Sequence, residues 1–236
     1  QFMTQARAMG PLQGYTIIEL AGIGPAPMAG MMLADMGAKV IRVERLEVAG
    51  SKPSERVSFR GKKSIALDLK QQQGVATLLQ MVEQADVLID PFRPGICEKL
   101  GIGPEVCMAR NPGLIFARMT GWGQTGPLAQ AAGHDINYIA LSGIASYSGK
   151  KESGPALNGI QIADVASGSN NSVIGILAAV ILLLGCTQLV LPLTGPAGLI
   201  GGLAVLVLAH RQWNENLADV GIALSTLGVV ALVVMC

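Results

Sequence analysis

Apolar positions in the first two thirds of the chain come in short runs separated by turn residues, and then merge into long uncharged stretches. Tyr15 to Leu20, YTIIEL, is short and rich in β-formers, the pattern of a buried strand. A breaker-rich loop, Gly22-Ile23-Gly24-Pro25-Ala26-Pro27, separates it from Met28 to Met36. That run suits a helix, and Gly37 stands where a C-terminal cap belongs. Lys39 to Glu44, KVIRVE, reads as a second strand, so the region predicts a strand-helix-strand unit with parallel strands. The alternation continues with a strand over Ser64 to Leu69, a polar helix start at Lys70 to Gln73, an amphipathic helix over Val75 to Gln84 and a strand over Asp86 to Asp90. Arg93-Pro94-Gly95 ends that strand. Glu98 to Leu100 then reads as a helical turn, Pro104 to Asn111 as a short helix and Leu114 to Met119 as a strand. The expectation is an α/β fold with a Rossmann-like, mostly parallel sheet. Ligands of such sheets bind beyond the carboxyl ends of the strands, which directs attention to the loops at 21–27, 45–63, 91–95 and 120–138.

Charge divides the chain more sharply than length does. Of its 33 charged residues only Arg211, Glu215 and Asp219 follow Asp164. Val173 to Leu193 is 21 residues without a charge, which suits both a membrane span and a buried core helix. Val220 to Cys236 is 17 uncharged residues, the lower limit for spanning, while Gly198 to Ala209 is too short to span alone. A net charge of +1 with 4% aromatic residues argues against a nucleic-acid surface, and a half-hydrophobic composition against disorder. Cys97, Cys107, Cys186 and Cys236 are scattered without a CxxC pair, and two histidines make no zinc-ligand cluster. Reduced structural thiols of a cytoplasmic protein are therefore expected, with no metal. Gln1 to Pro11 has no continuous apolar core, so no signal peptide is expected there.

Three features could carry chemistry. Gly22 and Gly24 precede a helix, and Glu44 ends the next strand about 20 residues on, as in a dinucleotide fold. The GxGxxG fingerprint nonetheless fails at its third glycine, where Pro27 stands, and a tight structural turn explains the loop equally well. Basic residues cluster from Arg42 to Lys70 (Arg42, Arg45, Lys52, Arg56, Arg60, Lys62, Lys63 and Lys70). They form either a solvated face or, with Arg93 at another strand end, a site for a phosphorylated ligand. Third, Gly121-Trp122-Gly123-Gln124-Thr125-Gly126-Pro127 leads to Gly133-His134-Asp135-Ile136-Asn137-Tyr138. His134 could be a satisfied structural residue. On a glycine-flanked loop it also suits proton abstraction near neutral pH. Asp164 ends an apolar run, where it could cap the next helix or serve as an acid.

At these residues the sequence resembles the α-methylacyl-CoA racemases of the CaiB/BaiF (family III) CoA-transferase superfamily. The resemblance covers about residues 10–180 through GPLQGYTIIELAGIGPAP, MMLADMGAKVIRVER, KKSIALDLK, ADVLIDPFRPG, NPGLIFARMTGWGQTGPLAQAAGHDINYIALSG and LNGIQIADVASG. GHDINY points to racemases more than to transferases. The resemblance implies that His134 and Asp164 form an acid/base pair that epimerises 2-methylacyl-CoA thioesters through a planar enolate. It further implies that Arg45, Leu67, Asp68, Leu69, Lys70, Ala85, Asp86, Val87, Arg93, Gly133, Asp135, Ile136, Asn137 and Tyr138 surround the CoA moiety. No separate cofactor is implied, since CoA arrives as part of the substrate, and the family's interlocked dimers imply a homodimer. From Leu182 onward no family motif is recognisable. The chain there looks like a two-span membrane segment with His210 to Asp219 as its polar connection. The expected organisation is thus a 1–9 extension, a 10–180 CoA-binding domain and an apolar helical segment over 181–236, with membrane contact through 173–236. A CoA transferase working through an acyl-aspartyl anhydride without His134, and a tethered acyl-CoA-binding protein without turnover, are the competing expectations.

Overall fold

The computed structural model describes residues 10–46, 57–157, 159–190, 223–224 and 230–235. Its frame is a sheet containing β1 (Thr16–Leu20), β2 (Lys39–Glu44), β3 (Lys62–Ala66), β4 (Val87–Asp90), β5 (Ile115–Thr120), β6 (Ala223–Leu224) and β7 (Val230–Met235). The order is β3-β2-β1-β4-β5-β7-β6. Every pairing is parallel except β6 with β7. Strand order reverses between β1 and β4, so the crevice for a ligand opens at the carboxyl ends of those two strands.

Both sheet faces are covered, and the side-chain alternation of the strands sorts residues between them. Ile17, Val40, Val87, Ile89, Ile115 and Ala117 pack with α1 (Pro25–Asp35) and with Val173, Ile176, Ala179 and Val180 of a long helix. Ile18, Leu20, Val43, Leu88 and Phe116 face the opposite layer of α2 (Gln72–Val82), α3 (Ile96–Lys99) and α4 (Pro104–Arg110). Strands buried on both faces explain why the sequence shows continuous apolar runs in place of a polar-apolar alternation.

Several boundaries differ from the sequence expectation for identifiable reasons. Helix α1 begins at Pro25, three residues earlier than Met28, because a proline is tolerated at the first helical position. Strand β3 covers Lys62–Ala66 and not Ser64–Leu69. It stops early because Asp68 folds the chain back, its Oδ1 accepting the Lys70 N–H at 3.0 Å and its carbonyl the Gln71 N–H at 3.1 Å.

Beyond β5 lie α5 (Asp135–Leu141), a π-helical segment over Ile162–Ser169 and α6 (Asn170–Val190). Helix α6 runs through the boundary expected at 180/181. The stretch Ile162–Leu183 is long and apolar enough to cross a membrane by length and composition. One side of α6 nevertheless packs on the sheet through Val173, Ile176, Ala179 and Val180, while Ile174 and Ile181 stay exposed. Within the apolar segment expected to be helical, Val230–Met235 is a strand alongside β5 and Ala223–Leu224 pairs with it. Its β-branched residues, Val230, Val233 and Val234, suit a parallel strand. Residues 191–222 and the 1–9 extension lie outside the described residues.

Candidate active site

A cleft of about 460 Å³ opens where the sheet order predicts one. It is lined by Leu20 and Ala21 after β1, Val43 to Leu46 at the end of β2, Leu67 to Lys70 after β3, and Phe92, Ile96 and Leu100 beyond β4. Arg45 and Lys70 are its cations, and both are exposed. A groove of about 530 Å³ shares Leu69, Lys70 and Leu100 with the cleft and adds Lys99. The expected residues Arg45 and Leu67 to Lys70 therefore meet around one cavity, while Phe92, Ile96, Lys99 and Leu100 escaped the sequence reading. Their signal was weak, since α3 is a single turn set only by the Arg93-Pro94-Gly95 corner.

Three of the expected groups fall outside the lining of the cleft, of which Gly133 and Asp135 to Tyr138 form a separate corner and the other two lie elsewhere. Ala85, Asp86 and Val87 lie at the amino end of β4, opposite the cleft. Ala85 and Val87 are buried there, and the Asp86 carboxylate accepts the Thr16 N–H at 2.7 Å. These residues join strands at the bottom of the sheet. Arg93 is exposed on the turn one residue past Phe92 and is not among the lining side chains.

The basic cluster also separates into roles. Glu19 is fully buried between Arg42 and Lys62, with an Arg42 Nη1 to Oε1 distance of 2.5 Å and a Lys62 Nζ to Oε2 distance of 2.5 Å. Arg42 also pairs with Glu44 and lies 4.5 Å from the centre of the Phe59 ring. Arg60 pairs with Asp35 in solvent. These cations are committed to structure, and Lys52 and Arg56 lie outside the described residues. The buried triad in turn grips the loop after β1, because Arg42 donates to the Gly22 carbonyl at 3.4 Å and Lys62 to the Pro27 carbonyl at 2.7 Å. Helix α1 comes so close that a side chain at Gly30 would meet Glu19 Oε2 at 1.9 Å.

The first turn of the helix after that loop offers few donors to a phosphate. Pro25 and Pro27 have no N–H, so Ala26 is the one donor in the first three helical positions, and Ala26 is fully buried. What the loop does hold is Asp164. Gly24 has φ of 68°, and a Cβ placed there would meet Asp164 Oδ2 at 3.0 Å. Ser169 fastens the same contact, its hydroxyl placed 3.1 Å from the Pro25 carbonyl and 3.1 Å from the Asp164 carbonyl.

Asp164 lies in the π-helical segment and is 9% exposed. Its side chain does not cap that segment. The backbone N–H groups of Ala163 and Asp164 instead donate to Asp135 Oδ1, at 2.6 and 3.0 Å. His134, next to Asp135, is exposed at the start of α5, and its N–H donates to Asn137 Oδ1 at 2.9 Å. Burial pushes the Asp164 carboxyl above its ordinary pKa, the neighbouring Asp135 charge acts in the same direction, and His134 opposes them. His134 and Asp164 are thus within electrostatic reach of each other although 30 positions apart.

The remaining residues of GHDINY support this corner. The Tyr138 ring meets Trp122 edge to face at 4.8 Å, and side chains at Gly121 or Gly133 would collide with the Tyr138 hydroxyl group. Ile136 and Asn137 are exposed. Behind the corner, Arg118 binds Gln124 at 2.9 Å and pairs with Glu98, and Gln130 donates to the Pro94 carbonyl at 3.1 Å. The loop bearing Trp122 is therefore tied to the turn beside the cleft.

Comparison with known proteins places the family and the fold. Residues 12–183 match the model of CoA-transferase family III. The chain is similar to the alpha-methylacyl-CoA racemase of Mus musculus, 48% identical over 168 residues covering 71% of this chain and 43% of that protein. It is also similar to the succinate–glutarate CoA-transferase of Agrobacterium fabrum, 39% identical over 176 residues, 67% of this chain and 44% of that one. Among solved structures, a CAIB/BAIF family protein from Brucella suis superposes with a TM-score of 0.67 at 35% identity, covering 73% of this chain and 49% of the other. The chain spans a little under half the length of these curated relatives.

Proposed function

The chain belongs to CoA-transferase family III, and from that premise we propose that it carries the CoA-binding and proton-transfer half of a 2-methylacyl-CoA racemase. The observation that carries this reading is the meeting of the His134 corner with Asp164 through Asp135. A histidine and a carboxyl group with a raised proton affinity suit a reaction in which one group must begin protonated and the other not. The cleft around Arg45, Leu67, Asp68, Leu69 and Lys70, with Lys99 in the adjoining groove, supplies cations and apolar walls suited to the phosphates and base of CoA.

In the proposed reaction the thioester carbonyl acidifies the α-C–H. One of His134 and Asp164 takes that proton, leaving a planar enolate, and the other delivers a proton to the opposite face. The two exchange roles with the hand of the substrate. Exposed Ile136, Leu141, Ile144, Tyr147, Leu157 and Ile160 around α5 support a homodimer that covers this surface, which a mass measurement in solution would test.

The transferase relative supports a second reading, acyl transfer that does not use His134. The test is α-proton exchange of a 2-methylacyl-CoA in deuterated water, followed by NMR, beside His134→Ala and Asp164→Ala. Exchange lost in both variants is expected. CoA exchange between acids that survives His134→Ala would favour the transferase. CoA binding with neither activity would leave an acyl-CoA-binding protein, tethered if the protein also partitions into vesicles.

A further inference from the structure

Asp135 sits beside the proposed base, and its half-buried carboxylate reaches the backbone of another element. Oδ1 accepts two N–H groups, Ala163 at 2.6 Å and Asp164 at 3.0 Å, across 28 and 29 positions of sequence. Those groups belong to the first turn of the π-helical segment, where the backbone has free donors and Gln161, the capping residue, contributes no side-chain bond. Asp135 thus caps a helix to which it does not belong. His134 is fixed in the same corner by its own N–H bond to Asn137. On the far side, Asp164 is confined by Gly24 and Ser169.

We infer that Asp135 is a positioning residue for the His134 and Asp164 pair, and not a contact to CoA. Its carboxylate joins the backbone carrying one group to the backbone carrying the other, so the two are presented as a unit. The inference rests on the proposed racemase reading for its chemical meaning, but the staple itself is a property of this chain.

The charge on Asp135 has a second consequence. The groups facing Asp164 can be named from each element packed on it. From α5 come His134 and Asp135. From α1 comes the uncharged turn Gly24 to Pro27, with Asp35 at the far end held by Arg60. Helix α6 has no charged residue in its sequence. Among the described residues, Asp135 is therefore the neighbouring anion that favours the protonated form of Asp164, with His134 opposing it. Burial is the main reason the Asp164 carboxyl holds its proton to higher pH, and the carboxylate that places it adds to that effect.

Two variants separate these roles. Asp135→Asn keeps an oxygen that can accept both N–H groups and removes the charge, while Asp135→Ala removes both. The readouts are the carbon-13 titration of the Asp164 carboxyl and hydrogen exchange at the Ala163 and Asp164 amides, neither of which needs turnover. In Asp135→Asn the expected result is a folded protein whose Asp164 titrates at lower pH with the two amides still protected. In Asp135→Ala those amides are expected to exchange roughly tenfold faster or more, in line with the loss of a hydrogen bond to a charged group. An Asp164 titration unchanged in Asp135→Asn, or amides equally protected in a folded Asp135→Ala, would overturn the inference. If Asp135→Ala does not fold, the Asp135→Asn titration decides alone. Failure of α-proton exchange in the unaltered chain would count against the racemase reading only, since both readouts would still report on the staple.

Discussion

The cleft and the His134 corner lie on the same domain but are built by different means. The cleft is made from the ends of four parallel strands that are hydrogen-bonded along their length, with β1 and β4 buried on both faces and β3 at the sheet edge. Its residues follow from the sheet, and changing one of them leaves the others in place. The corner is made from a one-residue staple, a glycine contact and an unusual helical segment, with His134 open to solvent. Segments far apart in sequence meet there through a few polar bonds. The cleft is thus expected to tolerate substitution better than the corner. The two regions share one component, the loop after β1, gripped from below by the Glu19 triad and touched from above by Asp164.

The largest effect should come from removing what the two regions share. Glu19→Ala leaves Lys62 buried without a carboxylate and Arg42 with Glu44 alone, a loss expected to cost about 3–5 kcal/mol. Urea unfolding measures it, and a cost below about 1 kcal/mol would mean that the triad does not anchor the loop. The cleft alone is addressed by Lys70→Ala, which should weaken CoA by about 1.5–3 kcal/mol if the amine binds phosphate, with a loss that shrinks as salt rises. Titration calorimetry checks this, and the Asp164 titration should not move. The face of the shared loop that touches the corner is addressed by Gly24→Ala, which forces a positive φ on alanine and places a methyl group against Asp164. A destabilisation of about 1–3 kcal/mol is expected with CoA affinity unchanged. A fall in affinity would show that the regions are not separable.

The smallest effect concerns pH. Asp164 has a raised pKa in the folded state, so the stability it contributes is full below the unfolded carboxylate value and is lost as pH rises through the folded one. Asp164→Asn removes that loss. The difference in Tm between variant and unaltered chain should therefore grow in favour of the variant from acid to neutral pH. A difference constant with pH would place the ionised form of Asp164 in a compensated setting.

The same division governs what could be read from sequence. Strands β1, β2, β4 and β5 stood out because residues such as Ile17, Ile18, Ile89 and Phe116 are buried wherever the strand turns, and the two crossover helices follow from spacing. Arg45 and Leu67 to Lys70 could be placed because strand ends locate a crevice in any parallel sheet. Lys62 and Arg42 could not be told apart from Arg45, since only the pairing of three strands reveals that they share Glu19. Ala85 to Val87 were expected at the cleft but lie at the amino end of β4, and sequence adjacency to Phe92 does not reveal which end of a strand a residue occupies. At the corner, the resemblance named His134 and Asp164, but the role of Asp135 depends on a contact across 28 positions, beyond the range of any local pattern.

The bond from Asp135 to the Asp164 turn closes an excursion of 29 positions into a loop. For a flexible loop the entropy of closure grows only logarithmically, each doubling of length costing about 0.6 kcal/mol. The 142–161 stretch inside that loop can therefore be lengthened or shortened at small thermodynamic cost while its two ends stay together. Variation in length within the family is expected to concentrate there, where it would reshape the mouth of the site without separating the pair.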